Sequence, residues 1–247
     1  MSSRSLYIAF ALGIPLTMTA KHILDVYRRI SPVPLTRIAS ADSVPNSLIQ
    51  SSAVREHVNP NNHVQVEDSR FIDVIIPPDR SAPADEAVLA QFIRGFFGGR
   101  VFAPERSLLR MLRRTLTYFP SIKVGTATLI IWSVDDLPPS HLLPPHTLLF
   151  GGFQIADISL DHHPSETGSH IDLIFGSGNG TFAGVHRFQV SHPSSATVIR
   201  IQYDHISCNP TVNTALKPDF LQVLHKIYAM WLFREGVGEI KRNLALK

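Results

Sequence analysis

The strongest constraint on fold lies in the C-terminal half, where three strand-like runs follow one another and a single long helix closes the chain. Residues 169–176, 181–191 and 196–206 are rich in β-branched and aromatic side chains. Gly178-Asn179-Gly180 between Phe175 and Phe182 is a strong hairpin signal, because two-residue turns that match strand twist need positive φ. In 196–206, Thr197, Ile199, Ile201, Tyr203 and His205 face one way, and Arg200, Gln202 and Asp204 face the other. A meander of this kind has one apolar face that must be covered. Residues 218–243 supply the cover as a helix whose apolar face is Leu221, Leu224, Ile227, Tyr228, Trp231 and Leu232.

The segments upstream fit the same plan. Residues 71–76 (FIDVII) read as a strand stopped by Pro77-Pro78. Residues 84–97 carry a helical stripe (Val88, Leu89, Phe92, Ile93, Phe96, Phe97), with acidic residues in the first turn where the helix dipole favours them. A second helix over 104–118 places Leu108, Leu109, Leu112 and Leu116 on one side and four arginines largely on the other. Residues 126–134 and 146–159 read as further strands, the latter kinked at Gly151-Gly152. The expected fold is α+β: a curved antiparallel sheet gripped by a long C-terminal helix, over residues 66–247. No period of 20–50 residues recurs, so repeats are excluded.

Residues 6–20 (LYIAFALGIPLTMTA) contain no charge. Fifteen residues fall short of the roughly 20 that span a bilayer, a length reached by continuing to Tyr27 with Lys21 and Asp25 at the interface. Residues 1–30 therefore read as an N-terminal anchor helix. The rival is a cleaved signal peptide, for which Met18 makes a poor cleavage context. Lys21, Arg28, Arg29 and Arg37 follow the segment while Arg4 alone precedes it, which puts the body on the cytosolic side, as for an enzyme tethered to the endoplasmic reticulum. Ser31-Pro32-Val33-Pro34 is a stiff spacer, and residues 31–65 read as a linker with a short helix near 47–57.

Composition narrows the function classes. Charged residues make up 17% of the chain against a usual share of about 25%, and hydrophobic residues 44%, which favours a large core, a cavity or a membrane contact. A net charge of +3 with scattered Lys and Arg does not make a nucleic-acid surface. Cys208 is the single cysteine, so neither an intramolecular disulfide nor a cysteine zinc site can form. Its setting, Ser207-Cys208-Asn209-Pro210, reads as a turn with a small, partly buried thiol. There is no GxSxG, Walker loop or HExxH. The glycine-rich stretch after Phe175 joins two strands and opens no helix, so it is a turn and not a phosphate loop. His162 and His163 sit in a polar loop without a third ligand at fixed spacing, so neither a metal nor a cofactor is expected. Asn179-Gly180-Thr181 is a glycosylation acceptor only if the body is lumenal.

The early strand 71–76, the Phe96-Phe97-Gly98 and Pro104-Glu105-Arg106 helical pair, the block IDLIFGSGNGTFAGVHRFQV and the terminal HKIYAMWLFREGV helix together resemble the START-like, helix-grip (SRPBCC) superfamily. The resemblance covers roughly residues 66–243 and is nearest to a group of uncharacterised domains within that superfamily. It rests on the order of apolar runs and turns, not on a catalytic signature. It implies an apolar cavity between sheet and terminal helix. Members bind lipids, polyketides or hormones, and some are cofactor-free cyclases or isomerases; fold alone does not choose among these.

Polar residues on apolar strand faces are the candidates for chemistry. Tyr203 and His205 alternate with Ile199 and Ile201, and His186 lies among Phe182, Gly184, Phe188 and Val190. Asp172 alternates with Ile174 in a strand apolar on both faces, so its direction stays open. Two histidines, a tyrosine and a carboxylate could move protons around a bound carbonyl compound. Taken singly, each reads first as a core or rim group satisfied by backbone. The leading expectation is a cofactor-independent cyclase or isomerase acting on a small hydrophobic natural-product intermediate of secondary metabolism at a membrane, with His186, His205, Tyr203 and Asp172 donating or accepting protons. The alternatives are a lipid or sterol carrier that leaves its ligand unchanged, and a scaffold for other membrane enzymes.

Overall fold

The meander over 169–206 and the helix after it are both present in a computed structural model, which describes residues 19–77, 79, 82–122, 128–161, 167–193 and 197–246. Residues 19–30 form helix α1. Then come β1 (Ala39–Ala41), α2 (Asn46–Ile49), a π-helical turn (Ala53–Val58), β2 (Gln65–Ile75), α3 (Asp85–Gly98) and α4 (Ala103–Leu112). The remaining strands are β3 (Ile130–Ile131), β4 (Leu148–Leu149), β5 (Phe153–Ser159), β6 (Ser169–Gly176), β7 (Ala183–Ser191) and β8 (Val198–Cys208), and α5 (Asp219–Leu246) ends the fold. The described strands make one curved, unclosed sheet in the order β1-β2-β8-β7-β6-β5-β4-β3. Every pairing is antiparallel except β3 with β4, so the sheet is mixed and not wholly antiparallel.

Register decides which side chains meet. Leu173 pairs with His186, His186 with His205, and His205 with Asp68; Ile171, Phe188, Tyr203 and Arg70 form the adjacent row. Because strand side chains alternate, both rows point to the same, inner face. The rows that alternate with them, Asp172–Arg187–Asp204–Ser69 and Ile174–Val185–Ile206–Glu67, point to the outer face.

Helices α3 and α5 cover the inner face. Phe92 and Phe96 on α3 meet Phe188 with ring centroids 4.8 and 4.9 Å away, and Phe233 on α5 lies 5.8 Å from Phe92. The two helices approach closely at glycines: a Cβ on Gly95 would come within 2.8 Å of the Cα of Gly236. Glu235 on α5 fixes the crossing by accepting the backbone N–H groups of Arg100 and Val101, each at 2.7 Å, just beyond the C-terminus of α3. This clasp selects which part of α5 is buried. Ala229, Leu232, Phe233, Val237 and Ile240 are inside, whereas Leu221, Leu224, Ile227 and Trp231 of the expected apolar face are about half exposed.

The outer face is covered too, by the stretch read as a linker. Val44, Leu48, Val54 and Val58 form a second apolar cluster with Ile174, Val185, Ile206 and Cys208, and β1 adds an edge strand to β2. Cys208 is the last residue of β8 and fully buried, with burial pushing its thiol up to about 11.

Other boundaries moved for local reasons. β2 begins at Gln65, since its polar first half is paired along β8. The run 146–159 divides into β4 and β5 at Phe150-Gly151, both at positive φ, where a kink was expected. The second helix ends at Leu112 because Arg113 is left-handed (φ 48°); of its four leucines Leu109 alone is buried. Of 126–134, two residues pair as β3, and 123–127 lie outside the described residues. Among the described residues no helix is long and apolar enough to cross a membrane. Of the charge-free segment 6–20, all but Thr19 and Ala20 lies outside them, as do His162 and His163.

Candidate functional site

A cavity of about 280 Å³ lies between the inner face, α3, α4 and α5. Its walls are apolar, from Phe96, Phe102, Phe153, Phe175, Ala229 and Leu232, and its mouth is flanked by half-exposed Phe182. His186 and Tyr203 form the polar floor, His225 lies on the α5 side, and Glu105 and Tyr228 meet near the rim. The volume is near the lower end of the range for small-molecule sites, about 300–1,000 Å³.

Three of the four residues singled out in the sequence come together here. Tyr203 Oη lies 3.0 Å from Nδ1 of His186, and Nδ1 of His205 lies 3.2 Å from that same atom. His205 Nε2 is 3.1 Å from the hydroxyl of Ser207. Each side chain is held by register: 186 pairs with 205 across β7 and β8, and 203 with the neighbouring 188. Aromatic rings pack the group on several sides, with Phe175 4.5 Å from His186 and stacked on it.

Burial governs the charge of these groups. His186 and His205 are held well below the ordinary histidine range, first by desolvation and then because a proton on either would be repelled by the neighbouring histidines, were they charged, and by Arg70. His225 is lowered for the same reasons. The Tyr203 phenol is pushed up by burial. At neutral pH the floor is therefore an uncharged set of donors and acceptors. Burial also raises the Glu105 carboxyl, opposed by the hydrogen bond that Tyr228 donates to it at 3.0 Å.

Asp172 is not brought to this group. It lies on the outer face, where both of its carboxylate oxygens accept from Arg187 at 2.7 Å, and it is fully buried. The period of two that turns Leu173 and His186 inward turns Asp172 and Arg187 outward. Asp157, His170 and Asp172 can bring ligand atoms within 4.8 Å of one another on that face. Arg187 already occupies the Asp172 carboxylate, so an added cation would sit against a guanidinium.

Residues the sequence reading did not single out complete the surroundings. Arg70 is almost fully buried, paired with Asp68, donates to the Lys226 carbonyl at 3.2 Å, and lies 5.3 Å from the Tyr203 ring centroid. Extending the strand back from Phe71 would have shown Arg70 and Asp68 in phase with Ile72 and Val74. His225 precedes Tyr228 by three and Leu232 by seven, the spacing of one helix face. A separate open groove of about 470 Å³ lies on the other side of α5, lined by Leu35, Val223, Ile227, Met230 and Trp231, with Arg70 and Asp68 at its base.

No family model matches this chain, and no curated protein matches it in sequence. Among solved structures, a hypothetical protein from Helicobacter pylori is similar to 80% of this chain and 95% of its own length at 13% identity, with a TM-score of 0.33. A likeness of that size carries no argument about function. The fold and site define a sheet closed by a C-terminal helix around a small apolar cavity with a neutral polar floor.

Proposed function

We propose that the chain is a START-like, helix-grip protein that binds a small hydrophobic natural-product intermediate in the inner cavity and acts on it as a cofactor-independent isomerase or cyclase. The observation that carries this reading is the floor of His186 and Tyr203 beneath apolar walls, with His205 behind it against His186. Preorganised donors in a water-poor site stabilise charge developing on a substrate oxygen far better than water does. Neutral imidazole and phenol groups can polarise a carbonyl and pass a proton locally. Asp172 takes no part, being committed to Arg187 on the other face.

A specific observation favours a second reading. Groups held neutral this strongly are weak bases, so a carrier that returns its ligand unaltered needs nothing more from the same floor. The discriminating experiment recovers the molecule that copurifies with the full chain from its own host and incubates it with fresh protein. Conversion to an isomer of equal mass, lost in a His186→Ala/His205→Ala variant that still folds, supports the enzyme. An unchanged molecule supports the carrier, and recovery of no small molecule refutes both.

The proposed place of action is a membrane, with the body toward the cytosol, from the charge-free residues 6–20 and the basic residues that follow them. Sedimentation with membranes and resistance to carbonate extraction are the expected results. Recovery from the medium, trimmed near Ala20, would contradict this part.

A further inference from the structure

His186 offers its two ring nitrogens to different surroundings. Nδ1 faces Tyr203 and His205. Both hydrogen bonds of His186 among the described residues are made at Nδ1, and the residue keeps a small exposed fraction, 5%. Since His186 lines the cavity, Nε2 is the nitrogen that meets a guest.

The hydrogen-bond accounting points to the nitrogen that carries the proton. Tyr203 is fully buried, and the acceptor within reach of its hydroxyl is Nδ1 of His186. If Nδ1 were protonated, the phenol proton would be buried with no acceptor, an arrangement that folded proteins avoid. With Nδ1 as acceptor, Tyr203 donates to it, the Nδ1–H of His205 shares it at 3.2 Å, and Ser207 donates to His205 Nε2. Two donors then share the one lone pair of His186 Nδ1, the shorter contact being that of Tyr203, and this arrangement puts the His186 proton on Nε2.

We propose that the cavity takes an uncharged, largely apolar molecule bearing a carbonyl or similar acceptor oxygen, held by the Nε2–H of His186, with Tyr203 as the positioning residue that fixes that proton. The inference rests on the inner cavity being the ligand site, as proposed above. It assigns His186 the part of hydrogen-bond donor and not of base. The charges around the floor fit an uncharged guest. The terminal nitrogens of Arg70 are engaged by Asp68 and the Lys226 carbonyl, its remaining Nε is buried, and its side chain borders the separate groove and not the inner cavity. Glu105 near the rim disfavours an entering carboxylate. Burial keeps His186 and His205 neutral, so neither supplies a compensating positive charge.

Three probes of matched shape test this on the full chain: 2-acetonaphthone (a neutral ketone), 2-naphthoate (an anion) and 2-ethylnaphthalene (no acceptor). The ketone is expected to bind about tenfold tighter than the hydrocarbon, as one hydrogen bond allows. Its carbonyl stretch should fall on binding, and naphthoate should bind most weakly. In Tyr203→Phe the advantage of the ketone over the hydrocarbon and the infrared shift should both shrink. Nitrogen NMR of the unaltered protein reads the tautomer directly, and should show His186 Nε2 protonated and Nδ1 not. Naphthoate binding as tightly as the ketone, an unmoved carbonyl stretch, or a proton on Nδ1 would each overturn the inference while leaving the cavity as a ligand site. If none of the three probes binds, the inference and the reading beneath it fall together.

Discussion

Mild acid should unfold this protein through its histidines. His186 and His205 are buried and held well below the ordinary histidine range, mainly by desolvation. In the unfolded chain both take up a proton as pH falls through about 6.5, whereas in the folded chain they stay neutral to much lower pH. The unfolded state then binds more protons, so stability rises with pH below about 6.5 and is lost as pH falls. Each group contributes about 1.4 kcal/mol per pH unit once the unfolded histidine is fully charged, so the pair contributes about 2.8. Against a total stability of about 5–15 kcal/mol, two further units of acid remove about 5.6 kcal/mol, the whole reserve at the low end of that range and about a third at the high end. Urea unfolding between pH 7.5 and 5, compared with His186→Gln/His205→Gln, isolates the pair from the rest of the titration. The variant should be less stable at pH 7.5 yet show a slope shallower by about 2.8 kcal/mol per unit below pH 6. Equal slopes would mean that the folded imidazoles accept protons freely, and the picture of a sealed neutral floor would be refuted.

Other expectations follow from packing and pairing. Asp172→Ala strands the buried Arg187 and should cost roughly 3–5 kcal/mol in chemical denaturation, while any affinity for the naphthyl ketone is unchanged because Asp172 faces away. Phe96→Ala removes a buried ring that touches Phe97, Phe188 and Tyr203 and should cost roughly 3–5 kcal/mol, read as a lowered Tm. Gly95→Ala would push a Cβ to 2.8 Å from Gly236 and should cost about 1–3 kcal/mol by forcing α3 and α5 apart, whereas Gly152→Ala, whose nearest neighbour is 3.7 Å away, should be far milder.

The C-terminal half was legible because its signals are local. Alternation from Ile199 to His205 gave the inner face of β8 directly, and the turn at Gly178-Asn179-Gly180 fixed its neighbours. His186, Tyr203 and His205 could be grouped for that reason. Asp172 could not be assigned, because β6 is buried on both faces and its pattern carries no phase; the pairing Asp172–Arg187–Asp204 supplies the phase that sequence lacks. The buried side of α5 was misplaced because the helix is apolar around most of its first half, and a distant carboxylate, Glu235 on the N–H groups of Arg100 and Val101, decides its seating. The packing of Val44 to Val58 on the outer sheet face has no periodicity to announce it.

The seating of α5 bears on how the chain reaches its final state. Phe96, Phe153, Phe175 and Phe188 all precede α5, so a ribosome releases them while the helix that shelters them is still unmade. Until Glu235 finds the backbone beyond α3, this aromatic bed lies open, the kind of exposed surface that draws chains into aggregates. The compartment for a guest is thus complete only once α5 has been made and docked. A guest that binds only the finished form would pull the final docking step toward completion, so supply of ligand would set how much protein survives as well as how much is occupied.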